Sequence, residues 1–160
     1  MRDRHFSDWE SLIAASNKQI ASILKKDVAP IAEEILEKHI QTDIYDAYEP
    51  LPGRWINGTT YRRRHVLEDG ITSIMLDGNT LLVTSTATAS PSVLKGFSFR
   101  NRYPGAFLKL LETGDLGFWK KGFPRPAVAN TEQEFDGSRK IERAILQGIE
   151  RTIGKSDTSA

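Results

Sequence analysis

Apolar residues recurring at helical spacing near both ends of the chain, with one β-hairpin signature between them, predict an α+β fold. The expected architecture is a small antiparallel β-sheet with a β-hairpin, packed by a long N-terminal helix and a C-terminal helix. A third observation completes the layout. Residues 48–64 and 90–130 are broken repeatedly by proline and glycine, yet they hold most of the aromatic residues and the clustered arginines.

At the N-terminal end, Ser7-Asp8-Trp9-Glu10 matches a capping box. The Ser7 hydroxyl can accept from the Glu10 amide while the Glu10 carboxylate reaches back. Trp9, Leu12, Ile13, Ile20, Ile23 and Leu24 follow at spacings that share one face, and the stripe continues through Val28, Ile31, Ile35, Leu36 and Ile40. It reads as core-facing. Pro30 interrupts it, at a cost of roughly 3 kcal/mol inside a regular helix. The chain can form a kinked long helix, or two helices with Asp27 capping the second. A kink or short break is favoured because the apolar phase survives across Pro30. The helix is expected to end at residues 44–47, ahead of Glu49-Pro50.

Residues 48–64 contain Pro50, Pro52, Gly53 and Gly58, which forbid a regular element, while Tyr48, Trp55 and Tyr61 argue against plain disorder. Residues 71–76 and 80–88 are rich in β-branched side chains around Asp77-Gly78-Asn79, a tight-hairpin signal because both central positions of a type I′ turn take positive φ. An isolated hairpin is marginal in water, so further strands are expected from residues 92–103 or 115–125. Residues 106–112 predict a short helix stopped by Gly114, and Gly122-Phe123-Pro124-Arg125-Pro126 an extended segment. Thr131-Glu132-Gln133-Glu134 is a second capping box. It opens a helix whose stripe is Phe135, Ile141, Ile145, Ile149 and Ile153, weakened at Gly137 and ended at Gly154. A single domain over residues 1–160 is expected, with 1–6 and 155–160 disordered.

The bulk numbers exclude several classes. Lys and Arg number 22 and Asp and Glu 21, so a net charge of +1 gives no global attraction to nucleic acid or an anionic membrane. Cysteine is absent, which removes disulfides and thiolate metal sites. No apolar run approaches the roughly 18 residues that span a bilayer, and the polar Met1-Arg2-Asp3-Arg4-His5 start is unlike a signal peptide, so a soluble intracellular protein is expected.

No catalytic constellation is legible. His5, His39 and His65 lie in three different segments. Glu34, Glu37 and His39 suggest a metal set, but Glu37-Lys38-His39 lacks the Glu-x-x-His spacing of di-iron helices, and a solvated helix face is the simpler reading. Neither a Gly-x-Ser-x-Gly elbow nor a glycine-rich phosphate loop is present. Carboxylate pairs meet only in space, so an enzyme with such a site stands as the least favoured hypothesis. No cofactor or metal is expected.

The contact candidates lie in the two long loops. Arg62, Arg63 and Arg64, with Tyr48, Arg54, Trp55, Tyr61 and His65 nearby, could grip phosphate or a partner's carboxylates while the rings stack; the bland alternative is a solvated loop. Phe118 and Trp119, together with Arg125, form a second candidate, whose alternative is a satellite cluster packed under the loop. Loops with this composition usually touch a partner.

Tyr45-x-x-Tyr48-x-Pro50 is followed by Tyr61-Arg62-Arg63. Phe107-Leu108-x-Leu110-Leu111-Glu112-x-Gly114 and Pro124-Arg125-Pro126 come next, and Asn130-Thr131-Glu132-Gln133-Glu134 opens the last helix. In this order the chain resembles the neck, head–tail joining or tail-completion proteins of tailed bacteriophages over most of residues 8–153. The spacer from Pro50 to Tyr61 is longer than in those relatives, which loosens the carry-over of that loop's contacts. The resemblance implies no catalytic residues. It implies a virion component assembled in the host bacterial cytoplasm as a homo-oligomeric ring of six or twelve copies. The ring would contact portal-adaptor and tail-terminator or tail-tube proteins, with DNA passing through without sequence-specific recognition and no membrane involved. The rival from a different class is a nucleic-acid-binding module working through the loop that carries Arg62, Arg63 and Arg64.

Overall fold

A computed structural model describes residues 8–47, 55–56, 59–60, 65–87, 105–113 and 124–157. The architecture is α+β, mostly helical, with long helices at both ends and a small two-stranded antiparallel sheet. Two compact units divide the chain, one made of Met1–Glu34, Ser73–Val83 and Phe135–Ala160, the other of Ile35–Thr72 and Thr84–Glu134.

In the first unit, α1 spans Trp9–Ile23. Its cap is Asp8, not Ser7: the Asp8 carboxylate accepts from the Ser11 amide at 2.7 Å, and Ser7 lies outside the described residues. A single π-helical turn, Leu24–Val28, then leads into α2, Ala29–His39. The Ala29 amide donates to the Leu24 carbonyl five residues back. Pro30 has no amide to place, and the widened turn just before it lets the helix continue. Asp27 therefore lies inside the helix and caps nothing. Its carboxylate takes both ends of the Arg151 guanidinium, one at 2.7 Å.

Arg151 belongs to α6, Lys140–Asp157, which lies against α1 and the π-helical turn. The contact is close. A Cβ on Gly148 would sit 2.6 Å from Ile23 and 2.9 Å from the Asp27 carboxylate. This close approach corrects the expected C-terminal stripe. Ala144 and Gly148 are buried, Ile141 and Ile145 are half-buried, and Ile149 is exposed, because a contact this tight excludes branched side chains from its centre line. The helix also runs through Gly154 to Asp157. On α1 only Ile23 is buried; Trp9, Ile13 and Ile20 are exposed, so the front half of the N-terminal stripe is not core.

The hairpin strands are β3, Ile71–Asp77, and β4, Thr80–Ser85, shorter at their end than expected. Neither Gly78 nor Asn79 takes positive φ, so the turn is not the mirror-image type that Asp-Gly suggested. Strands β3 and β4 pair only with each other among the described residues. Of the segments expected to add strands, 92–103 and 115–123 lie outside the described residues, and residues 124–125 are not strand.

In the second unit, α2 ends in another π-helical turn, Ile40–Tyr45, where the Asp46 amide donates to Gln41 at 2.8 Å. The helix thus stops where Glu49-Pro50 requires. Ile35, Leu36, Ile40, Ile44 and Tyr45 are buried here together with Leu67, Leu108, Leu111 and Ala127. Leu67 belongs to a one-turn helix α3, Val66–Asp69; Leu108 and Leu111 belong to α4, Ala106–Thr113. Residues 48–64 are not wholly irregular: β1, Trp55–Ile56, pairs antiparallel with β2, Thr59–Thr60, Trp55 opposite Thr60 and Ile56 opposite Thr59. The two residues between the strands are Asn57-Gly58, a strong hairpin dipeptide that the surrounding prolines mask. Among the described residues no helix is long and apolar enough to cross a membrane.

Candidate partner interface and its stems

Most of the predicted contact side chains, Tyr48, Arg54, Tyr61, Arg62, Arg63, Arg64, Phe118 and Trp119, lie outside the described residues. Trp55 is placed on β1. Arg125 is half-buried, and its amide donates to the Leu111 carbonyl at 3.1 Å. What the structure does define is where each loop leaves the second unit and where it returns.

The first loop leaves at Tyr45 and returns at His65. The two rings stack with centroids 4.5 Å apart at 40°. The Tyr45 hydroxyl accepts from the Leu67 amide at 3.1 Å. His65 takes φ 45°, a left-handed conformation, which turns the chain into α3, and its Nδ1 contacts Glu68 at 3.1 Å. Residues 46–64, carrying the arginine run, therefore form a loop with its ends fastened together.

The second loop leaves at Ser85 and returns at Gly105, where the Gly105 amide donates to the Ser85 carbonyl at 3.0 Å. Gly105 has φ +83°, and a Cβ there would come within 2.4 Å of the Thr84 hydroxyl. Only glycine fits. The third loop leaves at Leu111 and returns at Arg125. Beside that bond the Glu112 carboxylate accepts from the Val128 and Ala129 amides at 2.9 and 3.2 Å. It thereby caps α5, Ala127–Gly137.

This corrects the second capping box. Thr131 lies one turn inside α5, and its buried hydroxyl donates to the Ala127 carbonyl at 2.6 Å, so it cannot cap. Helix α5 starts earlier and ends at Gly137. Ser138 and Arg139, the latter at φ 52°, separate it from α6, so the expected C-terminal helix is two helices.

The three stems are gathered. The Ser85 hydroxyl donates to the Leu67 carbonyl at 2.7 Å, joining the first stem to the second. Gly105 opens α4, and Leu111 is six residues along it, about 9 Å at 1.5 Å per residue. Glu112 and Arg125 belong to segments quoted for the resemblance, and the fold brings those segments into contact.

A polar network lies beside the stems. His39 is not solvated: its Nδ1 faces Asp43 at 3.0 Å and its Nε2 faces Glu134 at 3.1 Å, with its side chain only 13% exposed. Lys38 reaches the same Glu134 at 2.6 Å, and Asn130 donates to Asp43 at 2.8 Å. Carboxylates only accept, so both imidazole contacts are made in full by the doubly protonated ring. Burial pushes the Asp43 carboxyl up, but hydrogen bonds from Asn130, His39 and Thr42, with the His39 charge, outweigh it and hold the group below its ordinary range. Helical spacing from His39 to Asp43 was visible in the sequence; Glu134 was not, because it arrives from α5. Among the described residues no group of His, Asp and Glu is arranged to hold a metal ion.

Comparison with known proteins adds one match. A family model described as YomN covers residues 8–151, so the chain belongs to the YomN family. The family name is phage-derived and points to a bacteriophage protein. No curated protein and no solved structure matches the chain.

Proposed function

We propose that this YomN-family chain is a non-catalytic structural component of a tailed-phage neck. In this reading it forms an oligomeric ring between the portal-adaptor assembly and the tail, through which DNA passes. The observation that supports it most is the gathering of three loop stems on one compact unit, Tyr45 with His65, Ser85 with Gly105, and Leu111 with Arg125. The loops so fastened carry Trp55, the run Arg62 to Arg64, Phe118 and Trp119. A rigid base presenting several aromatic and arginine-rich loops is the form a protein-contact surface takes. Ring formation needs two different surfaces on one protomer, and separate loops can supply them.

The test is mass measurement of the purified protein alone and mixed with portal-adaptor and tail-tube proteins of the same phage. Multimers or mixed complexes that disappear when Trp55 and Arg62 to Arg64 are replaced by alanine are expected. A strict monomer that binds neither partner, yet binds DNA with a steep salt dependence lost in those variants, would move the assignment to a nucleic-acid module.

A further inference from the structure

We infer that α1 is a self-docking surface through which two copies of this chain pair, antiparallel about a two-fold axis. The inference does not depend on the neck reading.

Trp9, Ile13 and Ile20 are 72%, 44% and 42% exposed and share one face of α1. Among the described residues nothing covers them. Large side chains at helical spacing, left open together, mark a contact face rather than scattered surface residues.

The charges choose the occupant. Asp8 and Glu10 sit at the first end of α1, and Lys25 and Lys26 at the other. Glu10, Lys25 and Lys26 are exposed and make no ion pair among the described residues. A parallel second copy would set like charges together; an antiparallel one sets each acidic end against the lysines of its mate. One register serves both terms. With Ile13 opposite Ile20 of the second copy, Ile20 is opposite Ile13, Trp9 meets Leu24, and Asp8 meets Lys25. A surface complementary to itself is what an isologous contact requires.

Sedimentation of the full chain over a concentration series tests this. A monomer–dimer equilibrium is expected. Ile13→Glu should weaken it by about tenfold or more, the scale on which one buried contact residue changes affinity. Glu10→Lys should weaken it as well, and adding Lys25→Glu and Lys26→Glu should restore it. The chain has no cysteine. An equimolar mixture of Ile13→Cys and Ile20→Cys proteins should therefore give the mixed disulfide in excess over either symmetric one. These positions are exposed, so folding should survive, with circular dichroism as the check. A chain that stays monomeric throughout, a dimer indifferent to Ile13→Glu and Glu10→Lys, or symmetric disulfides in excess would each overturn the inference.

Discussion

The Tyr45 hydroxyl accepts the Leu67 backbone amide while its ring lies on His65, so one side chain fastens both ends of the arginine-bearing loop. Tyr45→Phe keeps the ring and removes the acceptor, leaving a buried amide unpaired. A loss of about 1–3 kcal/mol in unfolding free energy is expected, read from denaturant titration. An unchanged midpoint would show that this clasp contributes nothing.

Asp43 gives a pH signature. Its folded carboxyl titrates below its ordinary value of 3.8, so its contribution to stability is present above that value and is lost as pH falls through the folded pKa. Thermal melting should therefore drop on the acid side below about pH 4. Asp43→Asn should be less stable at neutral pH and should flatten that acid limb. A variant with an acid limb as steep as the parent's would assign the effect to another carboxyl.

Glu112 caps α5 from a different helix. Glu112→Ala should cost about 0.5–2 kcal/mol, the range of lost helix caps. The amides of Val128 and Ala129 should lose hydrogen-exchange protection before the rest of α5. Protection lost evenly along α5 would contradict a local capping role.

Two backbone positions predict opposite signs. Gly148→Ala forces a methyl into Ile23 and should destabilise by about 1–3 kcal/mol. Arg139→Gly removes a left-handed non-glycine residue and should stabilise by up to about 1 kcal/mol. Calorimetric melting of both variants decides the signs.

The parts legible in the sequence were those with local causes. Pro30 demanded a break, Glu49-Pro50 a helix end, and the β-branched runs around Asp77-Gly78 a hairpin, and each is present. The parts misread depended on distant neighbours. Glu112 starts α5 from outside it, so the local box at Thr131 pointed to the wrong turn. Gly148 carries the closest helix contact because α6 presses on Ile23, which no periodicity of branched residues reveals. The α1 stripe follows core rules but is open, since spacing states a shared face and not what covers it. Asn57-Gly58 is the exception. That hairpin was locally encoded and was hidden only by the prolines around it. The contact side chains were chosen by composition, and of them the structure places Trp55 and Arg125.

Hydrogen exchange of the chain free and mixed with its adaptor and tail partners tests the central claim most directly. Residues 46–64, 86–104 and 112–124 are predicted to gain protection together on assembly, while the stems at Tyr45, Ser85 and Leu111 stay as protected as before. Protection gained elsewhere, with those three segments unchanged in the mixture, would contradict it.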